Sequence, residues 1–293
     1  MEKQKVAFVD NLRLISTIAV IVQHTSSVSY SSFCVDKTSF GGWLLSFIWV
    51  ICRFAVPVFV MTTGYLLLQP SKSVDYTKVF NKYCLRIVII LLTIGMAYAW
   101  LEIIFAQKEI SIIQFKESLI NVLQGNLWDH MWYLYMLIGL YIVIPQIKAF
   151  VVNISLHELD VFIGISVFFS VIMHFINVWT GFELGVKPAV GLWGLYLILG
   201  YRVALININN KVVITILCCT LFFIGFCLLY KEDASFFTFM SSHMGYDSPI
   251  IFVLSLCVFL LANKGGESKL YSVGSKLAKY TFGIYIFHPL YLM

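Results

Sequence analysis

Arg13 and His24 stand eleven residues apart in the stretch VDNLRLISTIAVIVQHTSS, residues 9–27. Between them Leu14 to Val22 is apolar enough to lie in a bilayer, and Asp10 precedes Arg13 by three residues. Eleven residues make close to three turns of an α-helix, so both side chains share one face, about 16 Å apart along the axis. An arginine at the water interface with a histidine near mid-membrane suits a long, thin ligand that has an anionic end and a reactive end. The phosphate-bearing pantetheine arm of coenzyme A has that shape. Histidine, with an ordinary pKa near 6.5, is suited to taking a proton from an attacking hydroxyl at neutral pH.

A second ionisable group sits inside an apolar run. Arg53 opens CRFAVPVFVMTTGYLL (52–67 with Cys52), four residues before Pro57 and ahead of Thr62, Thr63 and Gly64. Proline removes a backbone donor and frees a carbonyl, so this segment is expected to be a helix opened near its middle, with the threonines able to satisfy freed groups. Arginine does not lose its proton, so Arg53 needs a carboxylate, a phosphate or a cavity. The plainer reading is a buried ion pair with Asp10 or Glu102. Further along, Asp129, His130 and Trp132 begin a helix and are expected to face the outer aqueous side, where an acceptor can bind. Trp128, Trp132, Tyr133 and Tyr135 equally fit an interfacial aromatic belt. His288 in GIYIFHPLYLM is a further candidate, as is Asp10, although His288 reads equally well as a packed helix histidine. His157, His174 and His243 lack polar company in the sequence and receive no role.

The elements that carry these groups are hydrophobic. Of 293 residues 60% are apolar and 12% charged, against about 25% charged in a soluble domain, and the mean hydropathy is +0.88. Nine apolar blocks run roughly over 12–30, 43–68, 84–106, 131–147, 161–179, 189–206, 212–230, 249–262 and 280–293. Several approach the 20 residues that cross a hydrocarbon core of about 30 Å. This composition predicts an all-α, polytopic transmembrane helix bundle of about nine spans, forming a single domain over 1–293. No connector is long enough for a soluble domain. The last block holds only some 14 residues, too few to span, and the chain is expected to continue through a further helix.

Cys52, Cys84, Cys218, Cys219, Cys227 and Cys257 fall in apolar blocks and Cys34 in a loop, with no ligand spacing, so neither a disulfide framework nor a metal site is expected. The net charge of +5 is too small and dispersed for nucleic acid. Lys3 and Lys5 before an apolar run imitate a signal peptide, but Arg13 at its head and the lack of a small-residue cleavage site predict a retained first helix. With the N-terminus cytoplasmic, fourteen Lys and Arg fall inside and five outside, with Arg53 within a span, as expected for basic cytoplasmic loops. In the outer connector 107–130, Ile112, Phe115, Leu119, Val122 and Leu123 recur at helical steps, with Gln114, Lys116 and Glu117 elsewhere. An amphipathic helix follows, either on the membrane face or packed on its own protein.

The pattern D-x-x-R-x10-H at Asp10, Arg13 and His24, then RFAVPVFVMTTGYLL, HMWYLYMLIGLYIVIP and GIYIFHP, resembles the acyltransferase-3 family of integral membrane acyltransferases. The resemblance covers nearly the whole chain, and it is strongest to short members that O-acetylate surface glycans. It implies about ten helices in the inner (cytoplasmic) membrane, no bound cofactor, acetyl-CoA (acyl-CoA) supplied from the cytoplasm, and transfer to a carbohydrate hydroxyl. By the same resemblance His24 is the catalytic histidine and Arg13 its partner. Arg53, in the neighbouring opened helix, is expected to assist at the oxyanion or at the donor's phosphate end. Arg13, Lys82 and Arg86 hold the donor. The family's R-x-x-R pair at the third helix is altered here: Tyr83 stands where the first arginine falls, with Lys82 beside it. Two other readings stay open. One is a transporter using Arg53 and His24 as an ion or proton relay, although no second copy of the Arg13–His24 helix appears in later blocks. The other is a non-catalytic membrane subunit.

Overall fold

The computed structural model describes residues 2–32, 39–107, 112–128, 130–184, 186, 190–229, 243–264, 274 and 276–291. Cys34 and Asp129 lie outside the described residues. Among the described residues every regular element is helical, and each of the nine apolar blocks contains helix, the second in two pieces parted at Arg53 and Phe54. In chain order these are α1 (Glu2–Ser32), α2 (Phe40–Cys52), α3 (Ala55–Leu67), α4 (Tyr76–Phe105), α5 (Ile112–Gln124), α6 (Trp132–Asn153), α7 (Leu156–Thr180), α8 (Leu192–Val203), α9 (Asn210–Leu229), α10 (Pro249–Lys264) and α11 (Thr281–Phe287). Helix α11 runs into a 3₁₀ turn, His288–Tyr291. Five segments are long and apolar enough to cross a membrane: Phe40–Leu67, α4, α6, α7 and α9. The protein is therefore a polytopic membrane helix bundle.

Chain contacts gather these helices into two compact units, residues 1–66 with 154–293, and residues 67–153. In the first unit α1 packs on α2, α10 and α11. Its buried stripe is Phe8, Leu12, Ser16 and Val20, and its exposed stripe is Ile15, Ile18, Val22 and Val28. Exposed isoleucines and valines at helical steps are what a lipid-facing side presents. Phe8 anchors the helix edge-on to Tyr65, with ring centroids 4.8 Å apart, and to Phe259, 6.1 Å away.

Helices α3 and α8 cross at two glycines. A methyl group on Gly64 would meet the carbonyl of Leu197, and one on Gly200 would meet the carbonyl of Met61. Backbones approach this closely only where both helices present no side chain, a recurring device in membrane helix pairs. Beyond the crossing, α8 begins with Trp193 and Tyr196, and α3 begins just after Arg53. The crossing thus sets the positions of the aromatic groups around that arginine.

The second unit holds α4, α5 and α6. Helix α4 contains two π turns, Val79–Cys84 and Leu91–Gly95, the kind of local widening found often at functional positions. Asp75 caps α4 by accepting from the Lys78 backbone N–H at 2.7 Å, and Lys148 Nζ donates to the carbonyls of Gln69 and Lys72. Amphipathic α5 forms as its periodicity predicts. Its buried side carries Gln114, Ser118 and Val122, whereas Ile112 is 88% and Leu123 72% exposed. Ser118 Oγ donates to the Gln114 carbonyl at 2.7 Å, and Tyr135 donates to the Val122 carbonyl at 2.5 Å. Gln114 and Ser118 thus pack inward with Val122, and most of the large apolar side chains are left open.

Candidate active site

Helix α1 is unbroken from Glu2 to Ser32, so Arg13 and His24 do occupy one rod with three turns between them. Arg13 Nη1 lies 3.9 Å from Asp10 Oδ1, and its side chain is 42% exposed. At that distance and exposure the pair is weak, and the guanidinium keeps most of its donors for another anion. Thr17 Oγ1 donates to the Arg13 carbonyl at 2.8 Å, tying the polar turn to the helix.

The imidazole of His24 faces a second one. Its ring centroid is 5.1 Å from that of His288 on the 3₁₀ turn after α11. His288 is buried, and its Nδ1 is 2.7 Å from the Tyr285 carbonyl. A carbonyl only accepts, so Nδ1 carries the proton, and in the neutral ring Nε2 is the basic nitrogen. The two halves of the chain thus bring the catalytic candidate of α1 and the histidine of GIYIFHP into one place.

Arg53 lies at the opened turn expected for this segment. Its N–H donates to the Val50 carbonyl at 3.0 Å, closing α2 with a three-residue step. Pro57 has no N–H for the Arg53 carbonyl. The threonines do not reach that turn: Thr62 donates to the Val58 carbonyl at 2.7 Å and Thr63 to the Phe59 carbonyl at 3.0 Å. A threonine hydroxyl finds the carbonyl four residues back on its own helix first. The ion pair with Asp10 does not form either, since Asp10 pairs with Arg13. Instead the guanidinium lies between two rings, 4.5 Å from Trp49 and 4.7 Å from Tyr246. Each desolvated cation–π contact contributes on the order of 2 kcal/mol, so the two rings supply much of what holds the group in place. Arg53 Nε is buried with no hydrogen-bond partner.

Tyr246 links the two clusters. Its side chain shares a hydrogen bond with Gln23, the residue before His24, and its carbonyl accepts from Tyr196 at 2.7 Å. Trp193 stands 5.3 Å from the Tyr246 ring. The next residue, Asp247, acts electrostatically on Arg53 and lies 3.2 Å from His174 Nδ1 on α7. His174 therefore has polar company that its own helix does not show, and His243 packs edge-on against Trp179 at 5.5 Å. Tyr246, Asp247 and His174 were absent from the sequence-based candidates. The one local signal was the polar stretch HMGYDSP just ahead of α10.

In the second unit, Lys82 and Arg86 are exposed across the end of the first π turn, within about 40° of each other around the helix. Tyr83, the residue in place of the family's first arginine, stacks on Tyr141 with ring centroids 5.2 Å apart. It serves packing rather than charge. His130 does not face water as expected. It is buried, edge-on to Tyr98 at 5.7 Å and beside Trp128 at 6.4 Å. The turn before α6 folds inward, with Met131 N–H donating to the Trp128 carbonyl at 2.8 Å and Met131 fully buried, and it carries the imidazole under the aromatic rings. Trp132 remains partly exposed at 37%.

Comparison with curated proteins and with solved structures gave no match. The family model described as an acyltransferase domain, acyltransferase-3, matches residues 6–293. That match takes in α1 from ahead of Asp10 through the His288 turn, and the chain belongs to the acyltransferase-3 family of membrane acyltransferases.

Proposed function

We propose that this acyltransferase moves an acyl group, acetyl in the simplest case, from acyl-CoA to a hydroxyl of a cell-surface or lipid-linked carbohydrate. The reading places the protein in the inner (cytoplasmic) membrane with its N-terminus cytoplasmic. The observation that carries it is α1, with a half-exposed arginine and, three turns further along the same rod, His24 beside His288. Arg13 meets the phosphates of coenzyme A at the cytoplasmic mouth. The pantetheine arm runs inward along the Arg13–His24 face and brings the thioester to the imidazole.

His24 then takes the proton of the acceptor hydroxyl as its oxygen bonds to the thioester carbon. The carbonyl oxygen gains negative charge, and a guanidinium held over two rings with an unpartnered Nε, as Arg53 is, suits its stabilisation. Collapse breaks the carbon–sulfur bond, and the proton on His24 passes to the leaving thiolate to give free coenzyme A. A transient acyl-histidine would use the same geometry.

Mass spectrometry of the host's surface glycans with and without the gene tests the reading. An increase of one acyl mass per modified sugar, lost with the gene, is expected and names the donor as well. Identical glycan masses in both strains would refute the carbohydrate acceptor.

A further inference from the structure

Asp247 and His174 are not used by the chemistry above, yet they adjoin it. The pair joins α7 to the segment before α10, and each side chain is 34% exposed. Next to it stand Arg53, with its unpartnered Nε, and the rings of Trp49, Tyr246 and Trp193. This end of the first unit lies away from Arg13. Asp160, at the start of α7, pairs with Arg202 at the end of α8 through two 2.7 Å hydrogen bonds. His174 is therefore near the opposite end of the same helix, as His24 is far along α1 from Arg13.

From this juxtaposition we infer that Asp247, His174 and the free edge of Arg53 form the subsite that seats the acceptor through its sugar hydroxyls. The inference rests on the carbohydrate-acylation reading and supplies its acceptor side. A pyranose offers an apolar face of C–H groups and a rim of vicinal hydroxyls. Trp49, Tyr246 and Trp193 give the apolar surface such a face stacks on. A carboxylate accepts from one hydroxyl while an imidazole or guanidinium N–H donates to its neighbour, the arrangement needed for a vicinal pair.

The segment that carries Asp247 is held rather than loose. Tyr196 fixes the Tyr246 carbonyl, and Ser248 Oγ accepts from the Ile251 N–H at 3.2 Å at the head of α10. Tyr246 also hydrogen-bonds Gln23, the residue before His24, which ties this segment to the helix that carries the base. A merely structural contact between Asp247 and His174 would not explain the buried, unpartnered donor on Arg53 next to it.

The test is steady-state transfer by the full chain in proteoliposomes, with acetyl-CoA as donor and the host's extracted envelope polysaccharide as acceptor. Asp247→Asn and His174→Gln should each raise the acceptor KM about 10- to 100-fold, as for loss of a hydrogen bond to a charged group, with the donor KM moving less than twofold. Arg202→Gln, which breaks the pair with Asp160 at the other end of α7, serves as the control and should leave the acceptor KM within twofold. An unchanged acceptor KM in both subsite variants overturns the inference while leaving carbohydrate acylation standing. Equal rises in both KM values together with a lowered thermal midpoint also overturn it, making the pair a structural strut. A parental protein that releases coenzyme A yet acylates no polysaccharide removes the carbohydrate reading itself, and the subsite with it.

Discussion

Gly64→Ala and Gly200→Ala test whether the α3–α8 crossing positions the site. Each added methyl would land on a backbone carbonyl of the opposite helix, Leu197 for Gly64 and Met61 for Gly200. Carbon and oxygen rest about 3.5 Å apart when unbonded, and a carbonyl cannot rotate away as a side chain can. The helices must therefore separate. A gap of about 0.5–1 Å already forfeits a quarter to a half of each dispersion contact across it, and Val58, Val60, Met61, Leu195 and Leu197 are all buried there.

Overpacking of a well-packed core costs roughly 1–3 kcal/mol, and a backbone clash belongs at about 3 or above. Against it, alanine is better than glycine in a helix by about 1 kcal/mol. The clash wins, leaving a net loss of about 2 kcal/mol per site. Because one separation accommodates much of both clashes, the double variant should cost less than the sum of about 4 kcal/mol, a coupling expected of residues sharing one contact. Reversible unfolding in mixed micelles measures all three. Acyl transfer should fall in step, since the crossing holds Trp193 and the turn of Arg53. Either single alanine within about 0.5 kcal/mol of the parent, or a double costing more than the sum of the singles, would refute the argument.

Three further outcomes follow from the same structure. His24→Ala should abolish transfer in liposomes with coenzyme A affinity nearly intact, whereas Arg13→Ala should weaken donor binding first and more so at high salt; transfer by His24→Ala at the parental rate would make that histidine an ordinary packed side chain. Cysteines introduced at 69–82 should label only after permeabilisation of cells and those at 107–130 in intact cells, and outside labelling of 69–82 would reverse the proposed orientation. Tryptophan placed at Ile113, which is 66% exposed on the apolar side of α5, should be strongly quenched by brominated lipids and one at Ser118 should not; equal quenching would mean that α5 does not rest its apolar side on lipid.

What could be read in the sequence was whatever lies within one helix. The Arg13–His24 relation needs only a 3.6-residue period, and α1 obeys it. The opened turn at Arg53 needs only a proline four residues on, and α5 needs only its apolar steps. Partnerships between helices were not readable in this way. Thr62 and Thr63 looked available to the freed carbonyl, yet local geometry sends their hydroxyls elsewhere. His130 looked like a group at the water surface because Asp129 precedes it, but Tyr98, far back on α4, covers it. Tyr83 departs from the family's arginine, and its purpose emerges only in the stack on Tyr141.

The same distinction separates the two sides of the proposed reaction. A donor that lies along one rod leaves its mark as a spacing, D-x-x-R-x10-H. The proposed acceptor subsite takes Arg53 from a helix break, His174 from the far half of α7 and Asp247 from the connector before α10, so no single stretch carries its pattern. Such a subsite can change one residue at a time without disturbing α1. If the proposal holds, that division would let one donor-handling helix serve different acceptors, and it would place acceptor choice in side chains like Asp247 rather than in the Arg13–His24 face.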